Sequence, residues 1–289
     1  MSLENLQPWI LRAQREGFAV GAFNANTLEQ AQAIALAAQL EGAPALVQVS
    51  HRALEYLGGG NATLGLQYFG AFGKIAAQSV SVPIALHLDH ANETEVVQAI
   101  ALGFTSVMFD GGDLPLAENI AVTRRLRALA RENNVALEAE VNAVPKPDRS
   151  AKLDHAVEIT QVADAVEFAR ATQVDNLAIA LGSVHAGKSK TVMLDLERLR
   201  EIRAAVDTPL VLHGSSGVLD EHIASSISYG IVKINVATQL NQAFTQGVRA
   251  VLDANPQEHD PRKYLGPARA AMVARVRERI RFFGASGKG

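Results

Sequence analysis

Eight short apolar runs recur along the chain, each closed by small or polar residues. The first four are FAVGAFN (18–24), PALVQVS (44–50), VPIALHLD (82–89) and FTSVMFDG (104–111). The second four are NVALEAEV (134–141), DNLAIALG (175–182), TPLVLHG (208–214) and GIVKINV (230–236). Their near-continuous hydrophobicity suits strands buried on both faces, as in a parallel sheet. Segments with helical spacing lie between them. After the first run, Thr27 and Gln30 have the spacing of a capping box, and Leu28, Ala31, Ala35 and Ala38 continue one face. NETEVVQAIALG (92–103) repeats the design, with Asn92 as cap, Glu95 at the third helical position and Gly103 at the stop. LDLERLREIRAAV (194–206) and NQAFTQGVRAVLDAN (241–255) are further amphipathic helices on the same criterion.

Eight strands alternating with helices predict a (β/α)8 TIM barrel of the α/β class, because right-handed crossovers close such a series into a ring. An open doubly wound sheet would carry Gly-x-Gly-x-x-Gly after its first strand, and this chain does not. No Pro/Gly/Ser-rich linker divides the sequence, so residues 1–289 are expected to form one domain. The long irregular connection is NAVPKPDRSAKLDHAVEIT (142–160). Its length and its two prolines predict a loop, either a lid or binding element or a plain surface excursion.

Composition narrows the classes of function. The chain has 289 residues and a formal charge of −3, with no basic block, which argues against nucleic acid and acidic membrane as partners. It contains no cysteine, so disulfides, thiolate ligands and cysteine nucleophiles are all excluded. That absence fits a cytoplasmic location. The opening MSLENLQPWILRAQREG has no basic segment followed by an apolar core, so no secretory signal is expected. No apolar run is long enough to span a bilayer.

In a TIM barrel the chemistry gathers at the carboxyl ends of the strands. His90 ends the third strand, His185 follows the sixth and His213 ends the seventh. Three imidazoles at one rim can supply the protein ligands of an open zinc site. A loop histidine taken alone is more often a hydrogen-bonding surface residue than a ligand, and His51 after the second run shows that a rim position is not diagnostic. Asp89 at the strand tip is either a carboxylate orienting a ligand or a general acid/base. His87, two residues back, shares its face and reads as a core or supporting residue. Asp110 and Glu140 could hold a second cation or hydrogen-bond a ligand, whereas Glu138 should lie deeper.

HGSSG (213–217) and NVAT (235–238) follow the seventh and eighth strands, the two loops where many barrels hold phosphate. Small residues let backbone N–H groups approach an anion, aided by the hydroxyls of Ser215, Ser216 and Thr238 and by a helix N-terminus. Ordinary strand-to-helix turns carry the same residues as caps. A dication beside a phosphate pocket suits one chemistry in particular. It polarises the carbonyl of a phosphorylated ketone and stabilises an enediolate, while a carboxylate exchanges a proton across the scissile bond. That is aldol cleavage.

The stretches GAFNAN, ALHLDHA, GFTSVMFDGG, LEAEV, HGSSGV, KINVATQL and the terminal DPRKYLGPAR and FFGASGKG carry a resemblance that runs nearly end to end. The chain is similar to the class II, zinc-dependent ketose-bisphosphate aldolases, the group that contains the fructose- and tagatose-bisphosphate enzymes. The resemblance implies zinc, or another divalent ion, on His90, His185 and His213, with Asp89 as the catalytic acid/base. It implies dihydroxyacetone phosphate gripped by Gly214, Ser215 and Ser216 and by Asn235, Val236, Ala237 and Thr238. In some members a monovalent cation sits near the phosphate. Asn24 and Ser50 match positions that line the substrate site. Arg262 matches an arginine that reaches the distal phosphate from a neighbouring subunit, and a homodimer or homotetramer is implied.

The departures from the family pattern concern the substrate. HAGKSK follows the sixth strand where glycine and a tyrosine are usual, and DGGD (110–113) stands for Asp-Gly-Ser-His. VNAVPKPDR replaces the expected Leu-Gly and Gly-Gly, leaving Asp148 as candidate acid/base of that loop. Ala237 resembles the tagatose-type enzymes, since fructose-bisphosphate enzymes often carry Asp there. The expectation is an aldolase acting on a phosphorylated ketose, fructose- or tagatose-type or otherwise modified. A non-catalytic accessory subunit is the alternative. A metal-dependent hydrolase would carry His-x-His on its first strand, where this chain has GAFNAN.

Overall fold

A computed structural model describes residues 2–141, 159–183 and 190–289. Eight parallel strands close a barrel in sequence order: β1 (Val20–Asn24), β2 (Ala45–Ser50), β3 (Ile84–Ala91), β4 (Ser106–Phe109), β5 (Ala136–Glu140), β6 (Asn176–Ala178), β7 (Leu210–Leu212) and β8 (Ile231–Val236). Seven of the eight predicted runs contain their strand, and β3 extends two residues past its run, to Ala91. β8 pairs with β1, so no edge is left open.

The strands are apolar outward and partly polar inward. Leu86 and Leu88 join the large core cluster under the helices, while His87 and Asp89 alternate with them and bond to residues of other strands. Leu137 and Ala139 alternate with Glu138 and Glu140 in the same way. The strand interior is therefore not uniformly apolar, as near-continuous hydrophobicity suggested. Gln48, His87, Ser106, Glu138 and Lys233 are all buried, and Met108, Ala178 and Val211 form a small separate apolar group. Each of the five finds a polar partner there, as burial requires.

The helices confirm the capping logic with one difference. Asn92 and Glu95 form the full reciprocal box at the start of Glu93–Ala101, and Gly103 takes φ +78° just beyond its end. At Leu28–Glu41 the Thr27 hydroxyl accepts from the Gln30 N–H, but the Gln30 side chain accepts from the Asn26 N–H instead of closing back on Thr27. The Gln30 amide also donates to Asn241, and that longer-range partner sets the side chain's direction.

The long helix Pro261–Phe282 packs against Leu28–Glu41 and Thr238–Ala254. Gly247 permits the second contact, since a Cβ there would lie 2.6 Å from the Ala268 Cα. Glu41, at the end of its helix, accepts from Arg277 Nε at 2.7 Å, Arg281 Nε at 2.9 Å and Ser286 Oγ at 2.8 Å. It staples the C-terminal segment to the barrel wall. No helix among the described residues is long and apolar enough to cross a membrane.

Candidate active site

Adjacent residues on a regular strand point to opposite faces, so Asp89 and His90 should not share a site. They do because β3 is irregular at that point. Its pairing with β4 shifts register between Leu88 and Ala91, and His90 takes φ +51°, the left-handed region. A bulge with one residue in that conformation re-aims a side chain. For histidine this conformation is uncommon, and such backbone gathers at functional sites.

His213, just past β7, comes to meet His90: the two rings lie edge to face with centroids 4.7 Å apart. The donor atoms of Asp89, His90 and His213 all lie within 4.8 Å of one another. A second such group is His90, Asp110 and Glu140, with His90 Nδ1 at 3.1 Å from Asp110 Oδ2 and 3.9 Å from Glu140 Oε2. Asp89 accepts from Asn235 Nδ2 at 3.0 Å and Gln48 Nε2 at 3.4 Å, two amides that fix its carboxylate. His213 Nε2 lies 2.9 Å from Glu138 Oε1.

The electrostatics separate the two imidazoles. Burial drives His213 well below its ordinary pKa, and neighbouring His90 adds to the depression. With the ring held neutral, its contact with Glu138 is a hydrogen bond and not an ion pair. Burial also disfavours a charge on His90, but Asp89, the Asp110 hydrogen bond and Glu140 outweigh that and raise its pKa. The field at His90 thus favours positive charge. His87 is pushed well below its ordinary value by burial and by Lys233, and stays neutral against the Ser106 hydroxyl at 2.7 Å. Imidazole and carboxylate donors without thiolates, converging in a field that attracts cations, fit a zinc-type divalent ion.

Beside these donors opens a cavity of about 670 Å³. Gly214, at φ +66°, turns the chain from β7 into the short turn Ser215–Gly217, a conformation that suits glycine. Ser215 Oγ donates to the Asn235 carbonyl at 2.5 Å, tying this turn to the end of β8. The helix Thr238–Ala254 starts there, offering its first N–H groups to an anion.

Asn24, Ser50, Asp89, His90, Asp110, Gly214, Ser215, Ser216, Asn235, Ala237 and Thr238 all line this cavity. Val236 lies in the core behind the rim, 2% exposed. Glu140 is buried beside His90. Arg262 stands outside the cavity, its side chain 90% exposed and paired with Asp260. His185 and Asp148 lie outside the described residues, as does most of the predicted 142–160 loop.

Gln48 and Lys233 bear on the site and were not anticipated. The readable signal was period two: each is a polar residue interrupting an apolar run, two positions before the tip residues Ser50 and Asn235. Arg52 was also missed. It is the sole lysine or arginine among the described residues that line the cavity.

A parallel barrel with imidazole and carboxylate donors at the carboxyl rim, next to an anion-ready pair of turns, defines a class of metal-dependent enzymes acting on small phosphorylated substrates. The particular family follows from comparison. The family model described as fructose-bisphosphate aldolase class-II matches residues 4–288, and the chain belongs to that family. Among curated relatives, the fructose-bisphosphate aldolase of Geobacillus stearothermophilus is 38% identical, covering 100% of this chain and 99% of that protein. The 6-phospho-5-dehydro-2-deoxy-D-gluconate aldolase of Bacillus licheniformis is 36% identical over 100% of this chain and 97% of its own. The crystal structure of the YdjI aldolase from Escherichia coli K12 superposes with a TM-score of 0.81 at 27% identity, covering 99% of each chain. The protein is thus a class II aldolase, a metal-dependent carbon–carbon lyase acting on a sugar phosphate.

Proposed function

We propose that the protein reversibly cleaves a phosphorylated ketose to dihydroxyacetone phosphate and an aldehyde, with zinc held by His90, His185 and His213. The convergence of Asp89, His90 and His213 beside the Gly214 and Thr238 turns carries this reading. When bound, the dication supplies Lewis-acid polarisation of the substrate's carbonyl.

The chain's own residues do the rest. N–H groups of the Ser215–Gly217 turn and of the helix starting at Thr238, with the Ser216 and Thr238 hydroxyls, bind the phosphate. Asp89, oriented by Asn235 and Gln48, accepts the proton of the hydroxyl next to the scissile bond. The carbon–carbon bond then breaks, the aldehyde leaves, and the electron pair stays on the ketone fragment as an enediolate. Protonation at carbon gives dihydroxyacetone phosphate, and Asp148 on the 142–158 segment is our candidate to return that proton.

The distal end of the substrate is where this enzyme departs from fructose 1,6-bisphosphate aldolases. Ala237, the DGGD stretch at 110–113 and the rewritten 142–158 segment favour a modified, deoxy or tagatose-type ketose. Curated relatives of similar identity carry different substrates in their names. Arg52 supplies the positive charge for an anionic distal group. Arg262, exposed and outside its own chain's cavity, fits a role in the cavity of a neighbouring subunit in a homodimer or homotetramer. The chain is read as one domain, its terminal helix packed on the barrel.

Zinc-loaded protein mixed with a panel of sugar phosphates, with dihydroxyacetone phosphate read by a coupled dehydrogenase, tests the activity. Release should occur with at least one member and vanish in Asp89→Ala. Silence across the panel, or full activity in that variant, would refute the reading. Light scattering reads the assembly, where a monomer would contradict the role given to Arg262.

A further inference from the structure

Lys233 and Glu138 form a buried ion pair inside the barrel, with Nζ at 2.8 Å from Oε2 and both side chains 1% exposed. Stripping both ions of water costs roughly what their mutual attraction returns, so stability alone does not explain the pair. We propose that Lys233 is a positioning residue: its buried ammonium fixes which atom of Asn235 faces Asp89 and which nitrogen of His213 carries the lone pair. The inference rests on the roles proposed above for Asp89 and His213.

The argument is one of donors and acceptors. An ammonium has three donors and no acceptor. Lys233 Nζ donates to Asn235 Oδ1 at 2.9 Å, so the Asn235 oxygen must turn towards it. The amide nitrogen then points the other way and donates to Asp89 Oδ1 at 3.0 Å. A flipped amide would set NH2 against ammonium and oxygen against carboxylate. On its other side, Lys233 holds the charge of Glu138, whose second oxygen accepts from His213 Nε2 at 2.9 Å. A carboxylate there accepts only, so it selects the tautomer with hydrogen on Nε2 and leaves the lone pair on Nδ1. Lys233 and Asn235 are two apart on β8 and share its inner face, while Glu138 reaches them from β5 across the barrel. One cation thus orients a proton-transfer group on one side and a metal-binding ring on the other.

The test uses metal-free, full-length protein labelled with 15N-histidine, in which long-range 1H–15N correlation reports each imidazole tautomer and His213→Ala assigns the signal. Wild type should show His213 with hydrogen on Nε2 alone. Lys233→Met should show a tautomer mixture, with zinc affinity by dye competition lower by about tenfold to a hundredfold and kcat reduced more than KM. A folded Lys233→Met variant with the wild-type tautomer and zinc affinity would overturn the proposal. Should the unpaired Glu138 prevent folding, Lys233→Met with Glu138→Gln removes that charge, and a mixture is again expected. A single wild-type tautomer in that variant, or failure of both to fold, would assign Lys233 to structure alone and overturn the proposal. The tautomer reading needs neither metal nor substrate, so its failure is distinguishable from failure of the aldolase assignment.

Discussion

Replacing Asp89 with asparagine tests the proton-transfer step while changing little in volume. In the wild type both carboxylate oxygens accept: Oδ1 from Asn235 Nδ2 at 3.0 Å and Oδ2 from Gln48 Nε2 at 3.4 Å. An asparagine amide offers one oxygen, so whichever way it turns, its NH2 meets one of the two donors. The shorter bond to Asn235 should be kept and the Gln48 amide left facing another donor. At a residue only 5% exposed, that mismatch should cost about 1–3 kcal/mol of stability. The catalytic loss should be larger. Removing a positioned acid/base costs about 10²–10⁴ in rate, or roughly 3–5 kcal/mol of barrier at about 1.4 kcal/mol per tenfold. The phosphate-binding turns are untouched, so KM should stay within a few-fold. Initial rates of cleavage under zinc saturation, together with thermal unfolding, read the two effects separately. A kcat within tenfold of wild type would refute the role of Asp89, whatever happened to stability.

Three further outcomes follow from particular contacts. Burial by itself raises the Glu41 pKa, but hydrogen bonds from Arg281, Arg277 and Ser286 outweigh it and hold the group at about 2 against 4.5. The folded value lies below the unfolded one, so this stabilisation is complete above about pH 4.5 and is lost as pH falls towards 2. Glu41→Gln should therefore lower stability at pH 7 by about 1–2 kcal/mol, discounted because its arginine partners are partly exposed, and the gap to wild type in thermal unfolding should close in acid. A gap constant with pH would contradict this. Gly214→Ala forces a Cβ into the left-handed region at about 1–2 kcal/mol, and should raise KM for the phosphorylated substrate several-fold; an unchanged KM would remove this turn from the phosphate site. Arg52→Met should raise KM for ketoses with an anionic distal group and spare those with a neutral one, and equal losses on both would rule out charge recognition.

The fold was legible because all eight strands carry their own apolar run, and the caps at Asn92 and Gly103 are local signals. The site was legible in part for the same reason: His90 and His213 sit at strand tips where barrels place chemistry. What stayed hidden depends on register and on non-local partners. Nothing in HLDHA announces that the β3–β4 pairing slips there, yet that slip and the left-handed His90 bring neighbouring side chains to one site. Gln30 turns away from its box because Asn241, more than two hundred positions later, competes for it. Lys233 reads as a stray charge in GIVKINV until Glu138 is brought across the barrel to meet it.

The most direct test of the central claim is a crystal structure of zinc-loaded protein with diffraction recorded on both sides of the zinc absorption edge. The account predicts one strong anomalous peak bonded to imidazole nitrogens of His90 and His213 at about 2.0–2.1 Å, with His185 completing the set. A peak elsewhere, or none between those two rings at full zinc loading, would contradict it.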